Sequence, residues 1–313
     1  MHTRVKQFAL LGLILFFPFL SSSATANNKI KVVASFSILA DLVENVGGDH
    51  ISMTTLVGPN ASIHTYEPTP RDVKVLRDAH IIFVNGLHLE DSINRLIAAS
   101  DTKALLIEAS ANIPALTLKD QEHGTKHHHH HNSIDPHAWQ AISNVKIYIK
   151  NIAVAFCTID HQSCESYNKN ADAYLQKLDT LQTAITTQIA TIPQDKRIII
   201  TSHDAFNYFA HEYDFTILAP QSISTETEAT AADVASLIKQ IKANKASALF
   251  VENISNPRLI EQIAKETNLK IGGTLYSDAL SEKNGPAATY LSMMQYNVNT
   301  IINAIQTTQI INN

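Results

Sequence analysis

Three histidines and one aspartate each occupy a short polar motif just past an apolar, strand-like run: His64 in Ile-His-Thr-Tyr-Glu-Pro, His137 in Asp-Pro-His-Ala-Trp, His203 in Thr-Ser-His-Asp-Ala-Phe and Asp278 in Tyr-Ser-Asp-Ala-Leu. Imidazole nitrogens with one carboxylate are a borderline donor set that suits four-coordinate Zn²⁺ and also accepts Mn²⁺ or Fe²⁺. Any one histidine alone is more often a hydrogen-bonded structural residue than a ligand. Four such motifs at strand ends, where open parallel sheets place their ligand sites, point instead to one metal centre assembled from both halves of the chain. Glu67 and Asp135 stand beside ligands and are expected to orient them by hydrogen bonds rather than to coordinate. Between the first two motifs, His123 and the run His127, His128, His129, His130 and His131 give a local imidazole density suited to weak, multi-mode zinc capture.

Other chemistries fit less well. A secreted zinc hydrolase needs an open metal position and a general base. His211-Glu212 is not followed by the second histidine of a His-Glu-x-x-His helix, and four protein ligands would close the zinc shell. Cys157 and Cys164 are the only cysteines. In an exported chain they are expected to form a disulfide across a helix-to-helix loop. A Cys/His metal site including His161 is the rival reading, although the spacing is not that of a zinc knuckle.

The elements that must position these residues follow from pattern. Arg4 and Lys6 precede an apolar run over 8–20 and then Ala24-Thr-Ala26, which reads as a cleavable secretory signal over 1–26. The run is too short for a bilayer span, which needs ~20 residues. No cysteine near the cleavage site offers a lipid anchor, so a free periplasmic protein is expected. Removing Arg4 and Lys6 from the whole-chain balance of −5 leaves −7, which argues against nucleic acid as a partner.

Strand-like runs over 30–35, 51–57, 80–85, 103–107, 197–201, 215–218, 248–251 and 270–275 alternate with helical patterns. That alternation predicts an α/β fold with mostly parallel strands. Helices are expected over 39–46, 70–77, 91–99, 142–156, 165–192, 204–212, 231–244, 257–267 and 286–305, and a long loop over 108–134. The predicted organisation is an N-terminal lobe over 27–164 with a histidine-rich loop at 120–132, a linking helix over 165–192 and a C-terminal lobe over 193–313.

On these motifs the chain resembles the zinc- and manganese-binding solute-binding proteins of bacterial ABC importers, along essentially its whole mature length. The resemblance implies two α/β lobes, each a mostly parallel sheet flanked by helices, joined by one long rigid helix. It assigns His64, His137, His203 and Asp278 as ligands; the third position is His in zinc binders and often Glu in manganese or iron binders. It implies Zn²⁺ as cargo, with Mn²⁺ or iron as the alternative. It further implies an inner-membrane permease as partner, loading by a periplasmic metallochaperone as an open possibility, a monomer, and no enzymatic activity. An adhesin role has been attached to relatives, and nothing in these residues separates it from transport.

Overall fold

The computed structural model describes residues 29–118 and 133–312. The expected signal over 1–26 and the histidines His123 and His127 to His131 lie outside the described residues.

The first half builds β1 (Ile30–Phe36), α1 (Ser37–Gly47), β2 (Ile51–Val57), α2 (Pro70–Asp78), β3 (Ile81–Val84), α3 (Asp91–Ala99) and β4 (Leu105–Glu108). A short ribbon of β5 (Thr117–Leu118) and β6 (Ser133–Ile134) follows, then α4 (Ile142–Ile159) and α5 (Cys164–Ile189). The second half adds β7 (Ile198–Ile200), α6 (Asn207–Tyr213), β8 (Thr216–Leu218), α7 (Ala231–Asn244), β9 (Ala248–Glu252), α8 (Arg258–Thr267), β10 (Ile271–Leu275) and α9 (Tyr290–Asn312).

Both four-stranded sheets are parallel, ordered β2-β1-β3-β4 and β10-β9-β7-β8. Taken in chain order they share one winding: a first strand, a second on one side of it, and a third and fourth on the other. Central strands read as unbroken apolar runs, such as the wholly buried Ile81-Ile-Phe-Val84, because helices cover both faces of a parallel sheet. One face of the second sheet packs Ile200 and Leu249 against Val234, Leu237 and Ile241 of α7 and Ile260 and Ile263 of α8. Its other face, through Ile199, Ala248, Phe250 and Leu275, joins a core that continues through α9 and α5 into the first lobe.

The helix α5 begins at Cys164, which is disulfide-bonded to Cys157. At ~1.5 Å per residue it is about 40 Å long, and it packs along α1, α4 and α9 through Tyr167, Ala171, Tyr174, Leu178 and Ile185. It ends at Ile189 rather than at the expected residue 192, because Ile192 turns back to be buried ahead of Pro193.

Three other expectations differ from the structure. The region 108–134 is not wholly irregular, since β5 and β6 pair antiparallel; strands of two residues leave no periodic trace. The helix expected from 204 starts at Asn207, because the preceding residues form the turn presenting His203, with Ala205 N donating to His203 O at 2.9 Å. The last helix starts at Tyr290, where Thr289 Oγ1 accepts from Ser292 N at 3.2 Å as a cap.

A second tie between the lobes was not expected. Asp41 of α1 accepts from Tyr290 N at the start of α9 at 2.9 Å, and Tyr174 of α5 donates to the same carboxylate oxygen at 3.5 Å. Burial pushes the Asp41 carboxyl up to about 6, against the lowering effect of the Tyr290 N–H. A carboxyl raised above its unfolded value of 3.8 adds stability that is fully present below that value and is lost as pH rises through about 6. Asp41→Asn should therefore remove about 1–2 kcal/mol of acid-favoured stability between pH 7.5 and 4.5. Denaturant unfolding of parent and variant at both pH values checks this, and parallel pH dependences would refute it.

Candidate metal centre

Each of the four motif residues is delivered by a segment leaving the end of a strand. His64 lies on the irregular segment after β2, His137 follows β6, His203 follows β7 and Asp278 follows β10. His137 thus leaves the small ribbon and not a strand of the main sheet. The structure brings all four together, with one ligand atom from each within 4.8 Å of the others. His64 Nε2 lies 3.2 Å from Asp278 Oδ2 and 3.4 Å from His137 Nε2. Asp278 Oδ2 is 3.2 Å from His203 Nε2, and Oδ1 is 3.5 Å from His137 Nε2. A metal bound tetrahedrally at ~2.0–2.1 Å from each ligand would set ligand atoms ~3.3 Å apart. With Oδ2 as the aspartate's ligand atom, three of the six edges of the cage already have that spacing.

His137, His203 and Asp278 are completely buried, and the His64 side chain is 6% exposed. Among the described residues, both Asp278 oxygens have only imidazole nitrogens as polar partners. A buried carboxylate is stable only against positive charge. Burial alone would raise Asp278, but the His203 and His137 imidazoles outweigh it and hold the carboxyl well below its usual range. Burial likewise opposes charge on His203, yet Glu252 and Asp278 together hold its imidazole well above the ordinary value. Converging donors around a buried carboxylate are what a bound cation requires.

The outer nitrogens of two ligands are anchored by carboxylates. Asp135 Oδ1 pairs with His137 Nδ1 at 2.8 Å and accepts from His137 N at 2.9 Å. Its Oδ2 accepts from Asn207 Nδ2 of α6 at 3.1 Å. Glu252, at the end of β9, pairs with His203 Nδ1 at 2.6 Å and accepts from Ser202 N and His203 N at 2.7 and 3.0 Å. Such pairing directs the proton to Nδ1 and leaves Nε2 free to ligate.

Glu67 does not play the expected part: it is exposed and makes no hydrogen bond or ion pair among the described residues. Glu252 was missed by the sequence reading. It ends the apolar run Ala248-Leu-Phe-Val, and the strand-end rule that located the ligands would have flagged it.

The ligand segments also hold one another across the lobes. Trp139 Nε1 and Gln140 Nε2, just past His137, donate to Ser277 O beside Asp278 at 2.9 and 2.7 Å. Tyr208 of α6 donates to Asp135 O at 3.0 Å and accepts from Leu116 N at 2.9 Å.

Two parallel-sheet lobes closing on a buried three-histidine, one-aspartate cage define a cation-binding protein of the two-lobed solute-binding class. The profile of the family described as zinc-uptake complex component A, periplasmic, matches residues 32–304, and the chain belongs to that family of metal-binding proteins of ABC metal importers. It is 33% identical over 305 residues to the iron-binding protein YfeA of Yersinia pestis, covering 95% of each chain. It is also 33% identical over 277 residues to the manganese-binding lipoprotein MntA of Halalkalibacterium halodurans, covering 88% of each. The periplasmic zinc binding protein TroA of Treponema pallidum superposes with a TM-score of 0.81 at 29% identity, covering 88% of this chain and 99% of that one.

Glu252→Gln tests the anchoring of His203. An amide NH₂ facing Nδ1 would make Nδ1 the acceptor and put the imidazole proton on Nε2, where it blocks ligation. Zn²⁺ affinity, measured by chelator competition, should fall about 10–100-fold. Parent-like affinity would show that the carboxylate does not set the tautomer.

Proposed function

We propose that this protein captures Zn²⁺ between its lobes with His64, His137, His203 and Asp278 and delivers it to the inner-membrane permease of an ABC importer, with no chemistry performed on the metal. The observation that carries this reading is the convergence of the four ligand atoms within 4.8 Å, a compact cage rich in imidazole that suits four-coordinate zinc. The histidines at 123 and 127–131 would act as an auxiliary, weaker zinc-capturing segment. In this reading residues 1–26 are removed on export, 27–164 and 193–313 form the lobes, 165–192 link them, and the mature protein is a free periplasmic monomer, which a metallochaperone could load.

The alternative cargo is manganese or iron. It is favoured by the way Asp278 turns Oδ1 toward His137 and Oδ2 toward His64 and His203, an arrangement open to bidentate coordination in a larger shell. Relatives named for iron and for manganese fit it as well.

The deciding experiment is a chelator-competed titration of the mature protein lacking 122–131, with Zn²⁺ and Mn²⁺ in parallel and His203→Glu as the comparison. The zinc reading expects one tight Zn²⁺ site, far weaker Mn²⁺ binding, and a gap between the metals that narrows in His203→Glu. Because the divalent affinity series favours zinc at any such site, the size of the gap carries the result. Comparable binding of both metals would move the cargo to manganese, and absence of a tight site would overturn metal delivery. The same deletion should lower total zinc stoichiometry while sparing the tight site; loss of that site would refute the auxiliary role.

A further inference from the structure

The first lobe buries a carboxylate that takes no part in the metal cage. Glu90 is 1% exposed. Its Oε1 accepts from Asn85 N at 2.5 Å and Ser35 Oγ at 2.8 Å, and Oε2 accepts from Gly86 N at 3.1 Å. It closes the turn after β3, in which Gly86, Leu87 and His88 all adopt left-handed backbone, with φ of 86°, 54° and 65°. Non-glycine residues enter that region at an energetic penalty, and they persist there only where surrounding contacts over-determine them. Consecutive backbone N–H groups of such a turn form a concavity that binds an anion, here the chain's own carboxylate.

The turn in turn orients one side chain. Asn85 is wholly buried. Its Nδ2 donates to Gly86 O and to Pro136 O, both at 2.9 Å, and its Oδ1 accepts from Tyr148 of α4. Pro136 O belongs to the peptide leading into His137. Because Asp135 supports His137 through Nδ1 and through its backbone N–H, the tilt of that peptide plane is set from the opposite side by Asn85.

We propose that Asn85, locked by Glu90, is a positioning residue for His137: it fixes the Pro136 peptide plane, and so the place of His137 Nε2 in the metal cage, without touching the metal. This inference rests on the metal-site reading above. A ligand constellation tolerates displacements of only about 0.5 Å, so releasing the peptide loosens the cage while the lobe stays folded.

The test compares Asn85→Asp, Glu90→Gln and Tyr148→Phe with two references. His137→Ala removes the ligand itself, and Ile263→Val perturbs only the outer core of the second lobe. Zn²⁺ affinity is read by chelator competition, and ligand geometry by the visible ligand-field spectrum of the Co²⁺-loaded protein, well below each variant's metal-free Tm. Asn85→Asp keeps the shape but removes the donor to Pro136 O. It should weaken Zn²⁺ about tenfold, at the lower end of the range for groups that orient ligands, and alter the Co²⁺ spectrum. Tyr148→Phe, the milder variant, frees the carboxamide and should show the same changes to a smaller extent. Ile263→Val should leave both readouts unchanged. Lowered Tm with parent-like affinity and spectrum in Asn85→Asp and Tyr148→Phe would overturn the proposal. Parent-like binding by His137→Ala would instead overturn the site reading beneath it.

Discussion

The structure depends on the burial of one carboxylate. Asp278 sits with no solvent contact against three imidazoles contributed by both lobes. A charged group in that position is stable only while cationic partners remain beside it. Separating the lobes exposes Asp278 but also breaks the cross-lobe bonds of Ser277 to Trp139 and Gln140. Charge compensation of Asp278 and contact between the lobes therefore run through the same few residues: the imidazoles that face the carboxylate and the Ser277 bonds both span the two lobes.

The scaffold around that charge is stiff. One hydrophobic core runs from the first sheet through α5 and α9 onto the inner face of the second, so the lobes do not have independent interiors. The linking helix is not the only tie, since Asp41 of α1 caps α9 and meets Tyr174 of α5. Large hinge rotation would have to break a packed apolar interface, which is bistable rather than continuously deformable. His64 differs from the other cage residues: it comes from an irregular segment and is the one cage side chain with any exposure.

The two lobes use one winding for the same purpose. In each, segments leaving strand ends carry cage residues or buried polar groups that support them: Glu252 ends β9, and Asn85 and Glu90 follow β3. The site is thus built in layers. Imidazoles face the cage, Asp135 and Glu252 pair with the outer nitrogens of His137 and His203, and Asn85 binds the Pro136 carbonyl of the backbone that carries His137. Each layer satisfies its polar atoms against the next, as a low-dielectric interior demands.

Much of this was legible in the chain itself. Apolar runs and helical periods located the sheet strands and most helices within a few residues, because parallel strands buried on both faces must be continuously apolar. Three of the four cage residues were legible because each combines a metal-capable side chain with a strand end; His137 was legible from its Asp-Pro-His-Ala-Trp motif alone, since the two-residue β6 before it leaves no periodic trace. The orienting groups were less so: Asp135 is next to its histidine but one, whereas Glu252 is 49 residues from His203, and Glu67, which looked as well placed as either, is exposed. Sequence alone determined which side chains could hold a cation and the order in which the fold would deliver them. Only the tertiary structure decided which carboxylates reach the imidazoles, how Asp41 ties the helices, and where the strained turn at Gly86 acts. Those contacts join residues distant along the chain, and their energies depend on burial and angle, neither of which spacing along a sequence encodes.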